Sequence, residues 1–335
     1  MTTSNLMNRR SFLRSTAALT AAALPASCES VLAAQRVLKA RPVILATDIG
    51  DDIDDTWALG LLLKSPELNL KLVVGEYGKR DYRAKLAAKL LQTMGHGKVP
   101  IGMGMDGEPR GDGPQAGWLG NYELSSYKGK IHPDGVQAII DTVMNSRDPV
   151  TIISVGPMPN VAAALKREPR IAERARLVGM YGSVRKGYGG ASTPSAEWNV
   201  KADPKACQTG LTASWEITIT PLDTCGLVTL EGSHYSRVLH ARDRVASTVI
   251  ENYRIWSQAN KAKPEVAETR SSVLFDTVAV YLAFSQALCT MERLGIRVTD
   301  DGFTRIDDQA KPMQVATEWK SLDGYREFLV KRLTG

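Results

Sequence analysis

From position 41 onward the chain alternates short apolar runs with segments whose apolar residues recur at helical spacing. No other feature constrains the fold as much. Residues 43–47 (VILAT) form a continuous apolar run, the pattern of a strand covered on both faces. Residues 53–63 switch to helical spacing, and Ser65-Pro66 ends that segment. Strand-like runs follow at 70–74, 99–103, 150–155, 176–180 and 216–220, with helical segments at 82–94, 132–145 and 161–166. Two longer helical regions, 233–260 and 276–288, precede short strand-like runs and a final helix after Ser321. Such alternation predicts an α/β fold, a mostly parallel open sheet with helices on both faces. No repeat or linker divides residues 40–335, which reads as a single domain. Two stretches break the pattern: 104–130, rich in Gly and carrying Trp118, Tyr122 and Tyr127, and 182–195, dense in Gly, Tyr, Ser and Thr. Loops of that length in a compact domain are usually functional.

The first strand runs into Thr47-Asp48-Ile49-Gly50-Asp51-Asp52-Ile53-Asp54-Asp55. In an open α/β sheet, ligands bind beyond the carboxyl ends of strands, where this turn falls. One or two acids would be an ordinary helix-start preference. Five crowd their charges together, and a cation is the natural remedy. Oxygen-only donors select a hard ion, Ca²⁺ or Mg²⁺, over zinc. The spacing of the glycine and of the distal acid does not fit an EF-hand loop.

The chain has 335 residues, 43% hydrophobic and 23% charged, enough apolar material for a large core. Its formal charge of +6 includes three arginines and one glutamate in residues 1–34, so the remainder carries about +4. Lys and Arg are scattered, which argues against a nucleic-acid groove. The segment Asn8-Arg9-Arg10-Ser11-Phe12-Leu13-Arg14, followed by an Ala-rich uncharged stretch, reads as a signal peptide of the twin-arginine kind. It predicts a leader over about residues 1–34, export to a bacterial periplasm, and no membrane span after its removal. Cys28 lies in or beside this leader; Cys207, Cys225 and Cys289 read as buried small hydrophobes, a Cys207–Cys225 disulfide being the alternative.

Asp48-Ile49-Gly50-Asp51-Asp52-Ile53-Asp54-Asp55 closely resembles the N-terminal signature of the inosine/uridine-preferring nucleoside hydrolases, in a variant with two extra residues after the glycine. Other segments match in order. Gly156-Pro157-Met158-Pro159-Asn160 is similar to the family's Gly-Pro-Leu-Thr-Asn turn. Thr193-Pro194-Ser195-Ala196-Glu197-Trp198-Asn199 is similar to its Thr-Pro-Ala-Ala-Glu-Phe-Asn stretch, and Ala202-Asp203-Pro204 continues it. Phe275-Asp276 falls where the family has His-Asp. The resemblance spans about residues 41–290 and implies a nucleoside-hydrolase-like fold with a Rossmann-like core.

By that resemblance, Asp48, Asp55 and Asp276 would hold Ca²⁺ with a backbone carbonyl near Pro159, and Asp52, in the insertion, would be a further ligand or a support. Asp48 would also be the general base. Asp54 would bond a ribose hydroxyl, and Glu197 and Asn199 would hold the sugar; by their own chemistry Trp198 and Tyr188 are further substrate-binding candidates. The implied activity is calcium-dependent hydrolysis of the N-glycosidic bond of ribonucleosides. Such a bond breaks through an oxocarbenium-like state that carboxylates stabilise. The implied partner is a small-molecule nucleoside or related glycoside, with self-association into a homo-oligomer as a further expectation.

Four departures qualify the match: Phe275 replaces the histidine, Ala191 a ribose-binding asparagine, Ala46 the first aspartate of the signature and Pro159 a threonine. They leave the metal and sugar side whole and the leaving-group side without its usual acid. His132, His234 and Tyr188 are candidates for that acid, and Trp118, Tyr122 and Trp198 for stacking on a base. Two alternatives stay open: hydrolysis of another ribosyl-like glycoside by the same metal site, and calcium-dependent ribosyl-ligand binding without catalysis.

Overall fold

The computed structural model describes residues 39–108, 111–260 and 265–335. Ten strands run through this part: β1 (Arg41–Thr47), β2 (Leu68–Gly75), β3 (Ile101–Gly102), β4 (Ile131–His132), β5 (Val150–Ser154), β6 (Ala175–Met180), β7 (Ile217–Thr220), β8 (Cys289–Val298), β9 (Thr304–Ile306) and β10 (Pro312–Trp319). They form one sheet in the order β4-β3-β2-β1-β5-β6-β7-β10-β8-β9. All neighbours from β4 through to β10 pair in parallel, and only the β10–β8 and β8–β9 pairs are antiparallel. The mostly parallel α/β sheet predicted from the alternation is therefore the observed fold.

β1 shows why the pattern works. Successive side chains of a strand point to opposite faces. Val43 and Leu45 enter one hydrophobic core, with the helices Asp54–Leu63, Arg80–Thr93, Arg244–Ala259, Phe275–Leu282 and Leu322–Thr334. Ile44 and Ala46 enter the other, with Gly135–Met144, Pro159–Arg167 and Pro204–Thr212. With cores on both faces, every position of β1 after Arg41 is buried, hence its unbroken apolar run.

The chain leaves β1 toward β2, β3 and β4 on one side and returns to place β5 on the other. The carboxyl ends of β1 and β5 thus flank a topological switch point, the usual ligand crevice of such sheets.

Several expected boundaries move. The strand expected at 99–103 shrinks to Ile101–Gly102. His132 does not begin a helix; it lies in β4, and the helix starts at Gly135, capped by the Asp134 side chain accepting from Gln137 N at 2.9 Å. The region 233–260 is two helices, Gly232–Leu239 and Arg244–Ala259, because Asp243 caps the second by accepting from Val245 N at 2.8 Å. The helix expected over 276–288 is Phe275–Leu282. Arg41 and Arg176 both donate to the carbonyl of Ala283 at its end, satisfying a terminal acceptor that further turns would have used. Stretch 104–130 contains two short helical turns, Ala116–Leu119 and Leu124–Ser126. Cys207, Cys225 and Cys289 are free and buried, with no Cys207–Cys225 bridge; Cys28 and the leader lie outside the described residues. Among the described residues no helix is long and apolar enough to cross a membrane.

Candidate active site

At the switch point a cavity of about 330 Å³ opens, lined by six aspartates (Asp48, Asp51, Asp52, Asp54, Asp55 and Asp276), by Val155, Met180, Asn199 and Asn260, and by Tyr188, Trp198, Trp256 and Phe275. The sequence scatters these residues; the fold gathers them from the ends of β1, β5 and β6 and from two helix starts. Asp54 and Asp55 fill the first turn of Asp54–Leu63, and Asp276 the first turn of Phe275–Leu282. Helix N-termini favour negative charge, which offsets part of the repulsion. The two starts also bond to each other: Asp276 N donates to Asp54 Oδ2 at 3.3 Å. Thr47 Oγ1 donates to Asp55 Oδ1.

The turn between β1 and Asp54 is held from below. Gly50 has φ +114°, and a Cβ there would sit 2.5 Å from Tyr82 Cε1, so only glycine fits. Tyr82 Oη donates to Gly50 O at 2.9 Å. The buried Arg83 side chain donates to Ile49 O (3.1 Å), Tyr77 O (3.0 Å) and Asp51 Oδ2 (2.6 Å). Gln115 Nε2 donates to Asp52 O at 2.9 Å, and Trp256 Nε1 to Asp51 O at 2.8 Å. The inserted pair Asp51-Asp52 is thus anchored by its backbone, with Asp52 exposed at the mouth.

Burial dominates the electrostatics. It raises the pKa of Asp48 to about 7, against the pull of the Arg83 guanidinium. It holds Asp54, Asp55 and Asp276 well above the usual carboxylate range, and their mutual repulsion adds to the effect. Carboxylate oxygens of Asp54, Asp55 and Asp276 lie within 4.8 Å of one another. Among the described residues none of these buried acids has an ion pair of its own, Arg83 pairing directly with Asp51. An oxygen-only set of this kind fits a hard divalent ion. Asp54, which the resemblance gave to a ribose hydroxyl, sits inside this group, while Asp48 lines the same cavity beside it. Asp48 is pressed by Gly156, where a Cβ would lie 2.6 Å from its Oδ1.

The remaining expected residues divide. Asn199 lines the cavity, its Nδ2 donating to Val155 O and Met180 O at 3.1 Å each. Glu197 is buried just outside the lining. Its carboxylate caps Trp198–Ala202 by accepting from Asn199 N (2.7 Å) and Val200 N (3.3 Å), and it also accepts from Gly182 N (2.9 Å). Burial raises its pKa to about 7. Pro159 opens the helix Pro159–Arg167 and is not in the lining. Next to it, Asn160 N donates to the buried Glu76 at 2.9 Å. Trp198 and Tyr188 flank the mouth, half exposed, joined by Trp198 N donating to Tyr188 Oη at 2.9 Å. Tyr188 meets Phe275 edge-on, with ring centroids 6.2 Å apart.

Other candidates lie elsewhere. His132 is on the outer strand β4, and His234 faces Glu327 at 3.5 Å. Trp118 is buried under Lys89, and Tyr122 Oη donates to Gln92. Trp256 and Asn260 went unnoticed in the sequence: they end an ordinary amphipathic helix, and only the fold brings both to the cavity and Trp256 to the carbonyl of Asp51.

Residues 43–324 match the family model described as inosine-uridine preferring nucleoside hydrolase. The chain belongs to this family. Among nucleoside hydrolases it is similar to the non-specific ribonucleoside hydrolase RihC of Klebsiella pneumoniae, 28% identical over 231 residues, which cover 65% of this chain and 74% of that one. The pyrimidine-specific ribonucleoside hydrolase RihA of an Enterobacter species is also 28% identical, over 67% of this chain and 73% of its own. Among solved structures, the plant nucleoside hydrolase PpNRh1 superposes with a TM-score of 0.75 at 20% identity, over 88% of this chain and 99% of that one. The purine-preferring ribonucleoside hydrolase of Gardnerella vaginalis gives 0.71 at 24% identity, over 88% and 98%. At these identities the superpositions speak for the nucleoside hydrolase fold.

Proposed function

We propose that this chain hydrolyses the N-glycosidic bond of ribonucleosides, releasing base and ribose, with Ca²⁺ in its carboxylate cluster. The observation that carries the reading is the convergence of Asp48, Asp54, Asp55 and Asp276, all buried, in one cavity at the switch point of a nucleoside hydrolase sheet. Asp48, Asp55 and Asp276 are the ion's side-chain ligands in this reading, with the carbonyl near Pro159 and, from the insertion, Asp52 as further candidates. A bound Ca²⁺ would supply fixed positive charge that orients water and the vicinal ribose hydroxyls. Asp48 takes the proton of the water that attacks C1′. Asp54 meets a ribose hydroxyl, and its charge favours the oxocarbenium-like state. Asn199 contacts the sugar, and Glu197 fixes the turn that carries it. Trp198 and Tyr188 enclose the base.

A panel of nucleosides incubated with the purified chain, with Ca²⁺ and with chelator, tests this. Ribose release that depends on the ion, and that Asp48→Asn removes without unfolding the chain, is expected. Tight ribonucleoside binding without product would favour a binding protein instead.

We also infer export to a bacterial periplasm, supported by Arg9-Arg10-Ser11-Phe12-Leu13 and the Ala-rich stretch behind it. Replacing Arg9 and Arg10 by lysine should retain the full-length chain in the cytoplasm; unchanged periplasmic recovery would refute the twin-arginine route.

A further inference from the structure

We propose that the preferred substrates are ribosides whose base carries a fixed positive charge, such as N-ribosylpyridinium and N7-alkylated purine ribosides, because the cavity joins excess carboxylates and aromatic faces with a leaving-group side that, among the described residues, has no His, Lys or Arg. This rests on the hydrolase reading above and narrows its substrate class.

A neutral nucleoside must have its base protonated as the bond breaks, or the base leaves as an anion. Among the described residues no His, Lys or Arg lines the cavity. His96, His132, His234 and His240 all lie outside the lining. Phe275 sits beside Asp276 and closes the wall against Tyr188. The neutral donors are largely spent: Trp256 Nε1 on Asp51 O, and Asn199 Nδ2 on Val155 O and Met180 O. Tyr188 Oη accepts from Trp198 N and keeps its own proton, but burial raises its pKa, the wrong direction for an acid near neutrality.

The same cavity suits a cation. A divalent ion would favour the charged forms of its six carboxylates, which would then remain in excess even with Arg83 and the ion counted. Asp52 is exposed at the mouth, and the half-exposed rings of Trp198 and Tyr188 stand there too. Aromatic faces attract cations, Trp most strongly. For a charged base the step balances without an acid. Water adds to C1′ and yields its proton to Asp48; the C1′–N pair passes to the ring nitrogen and cancels its charge; the base leaves neutral. Each turnover then releases one net proton to solvent, which a pH-stat counts.

The test compares kcat/KM for 7-methylinosine and inosine, and for nicotinamide riboside and uridine, on the Ca²⁺-loaded chain, each divided by the spontaneous rate. A working acid accelerates the neutral riboside about 10²–10⁴-fold more than its charged partner. Here the charged riboside should be accelerated at least as much as the neutral one. Phe275→His should raise inosine turnover and shift the ratio toward inosine by about tenfold or more. Asp52→Asn, an exposed change that keeps the proposal testable if the Phe275 variant does not fold, should raise KM for the charged ribosides more than for the neutral ones. A hundredfold advantage for inosine in the unaltered chain would overturn the proposal. So would a Tyr188→Phe variant that lost inosine turnover and kept that of 7-methylinosine, since Tyr188 would then be the acid. Cleavage of neither kind would overturn the hydrolase reading itself.

Discussion

Replacing Arg83 by methionine tests how the Asp-rich turn is held. The side chain is 2% exposed, rises from the helix Arg80–Thr93, and donates to Ile49 O, Tyr77 O and Asp51 Oδ2. Methionine keeps most of the stem and removes all three donors. Each carbonyl left without its partner costs roughly 1 kcal/mol. The Asp51 pair contributes about another 1–2 kcal/mol, a discounted figure because Asp51 is 27% exposed. The sum, about 3–4 kcal/mol, is a large part of an ordinary stability of about 5–15 kcal/mol. It should lower Tm by about 5–7 °C. Arg83→Lys should recover only the ion pair, because an ammonium cannot span three acceptors with the guanidinium's fixed fork. Urea unfolding of the chelated protein gives the difference directly, with the slope unchanged if only stability moves. A loss below about 1 kcal/mol for methionine, or full recovery with lysine, would refute the claim that this fork holds the turn.

Three further outcomes are expected. Ca²⁺ at about a hundred times its Kd should stabilise the protein by about 2.7 kcal/mol in a thermal-shift assay, and Asp276→Asn should abolish most of that gain. Glu197 has a folded pKa of about 7, above its ordinary 4.5, so the folded state holds its proton more tightly than the unfolded one. Stability should therefore fall as pH rises from about 4.5 to 7, on the order of 3 kcal/mol, and level off above; Glu197→Gln should flatten that slope in denaturation curves at several pH values. Gly156→Ala forces a Cβ to 2.6 Å from Asp48 Oδ1, so ribose release should fall by about tenfold or more while circular dichroism stays native; an active, unshifted variant would show that Asp48 has room to move.

The parallel part of the sheet was legible because a strand buried on both faces must be apolar throughout, as β1, β5 and β6 nearly are. Edge elements were harder to read. β3 and β4 have two residues each, too short to show any period, and β4 took His132 from the helix expected there. The acids of the first turn announced the site, because five in eight residues exceed what a helix start uses. Asp276 was found only through the resemblance, since one aspartate before an apolar helix is commonplace. Arg83, Trp256 and Gln115 act through carbonyls of the turn, and a carbonyl's acceptor role leaves no trace in residue type. Glu197 was legible as part of a motif, but its capping geometry depends on how the chain re-enters after β6.

The bond from Asp276 N to Asp54 Oδ2 joins residues 222 positions apart, about three quarters of the described span. Contacts of such separation form late, because their loop-closure entropy must be met before they add stability. A chain lacking its last quarter would carry every acid of the N-terminal motif and still lack Asp276, the third carboxylate of the proposed ion site. Ion affinity should thus report completed folding: in refolding from urea, high-affinity Ca²⁺ uptake should follow the slowest structural phase, and the ion should slow unfolding more than it speeds folding.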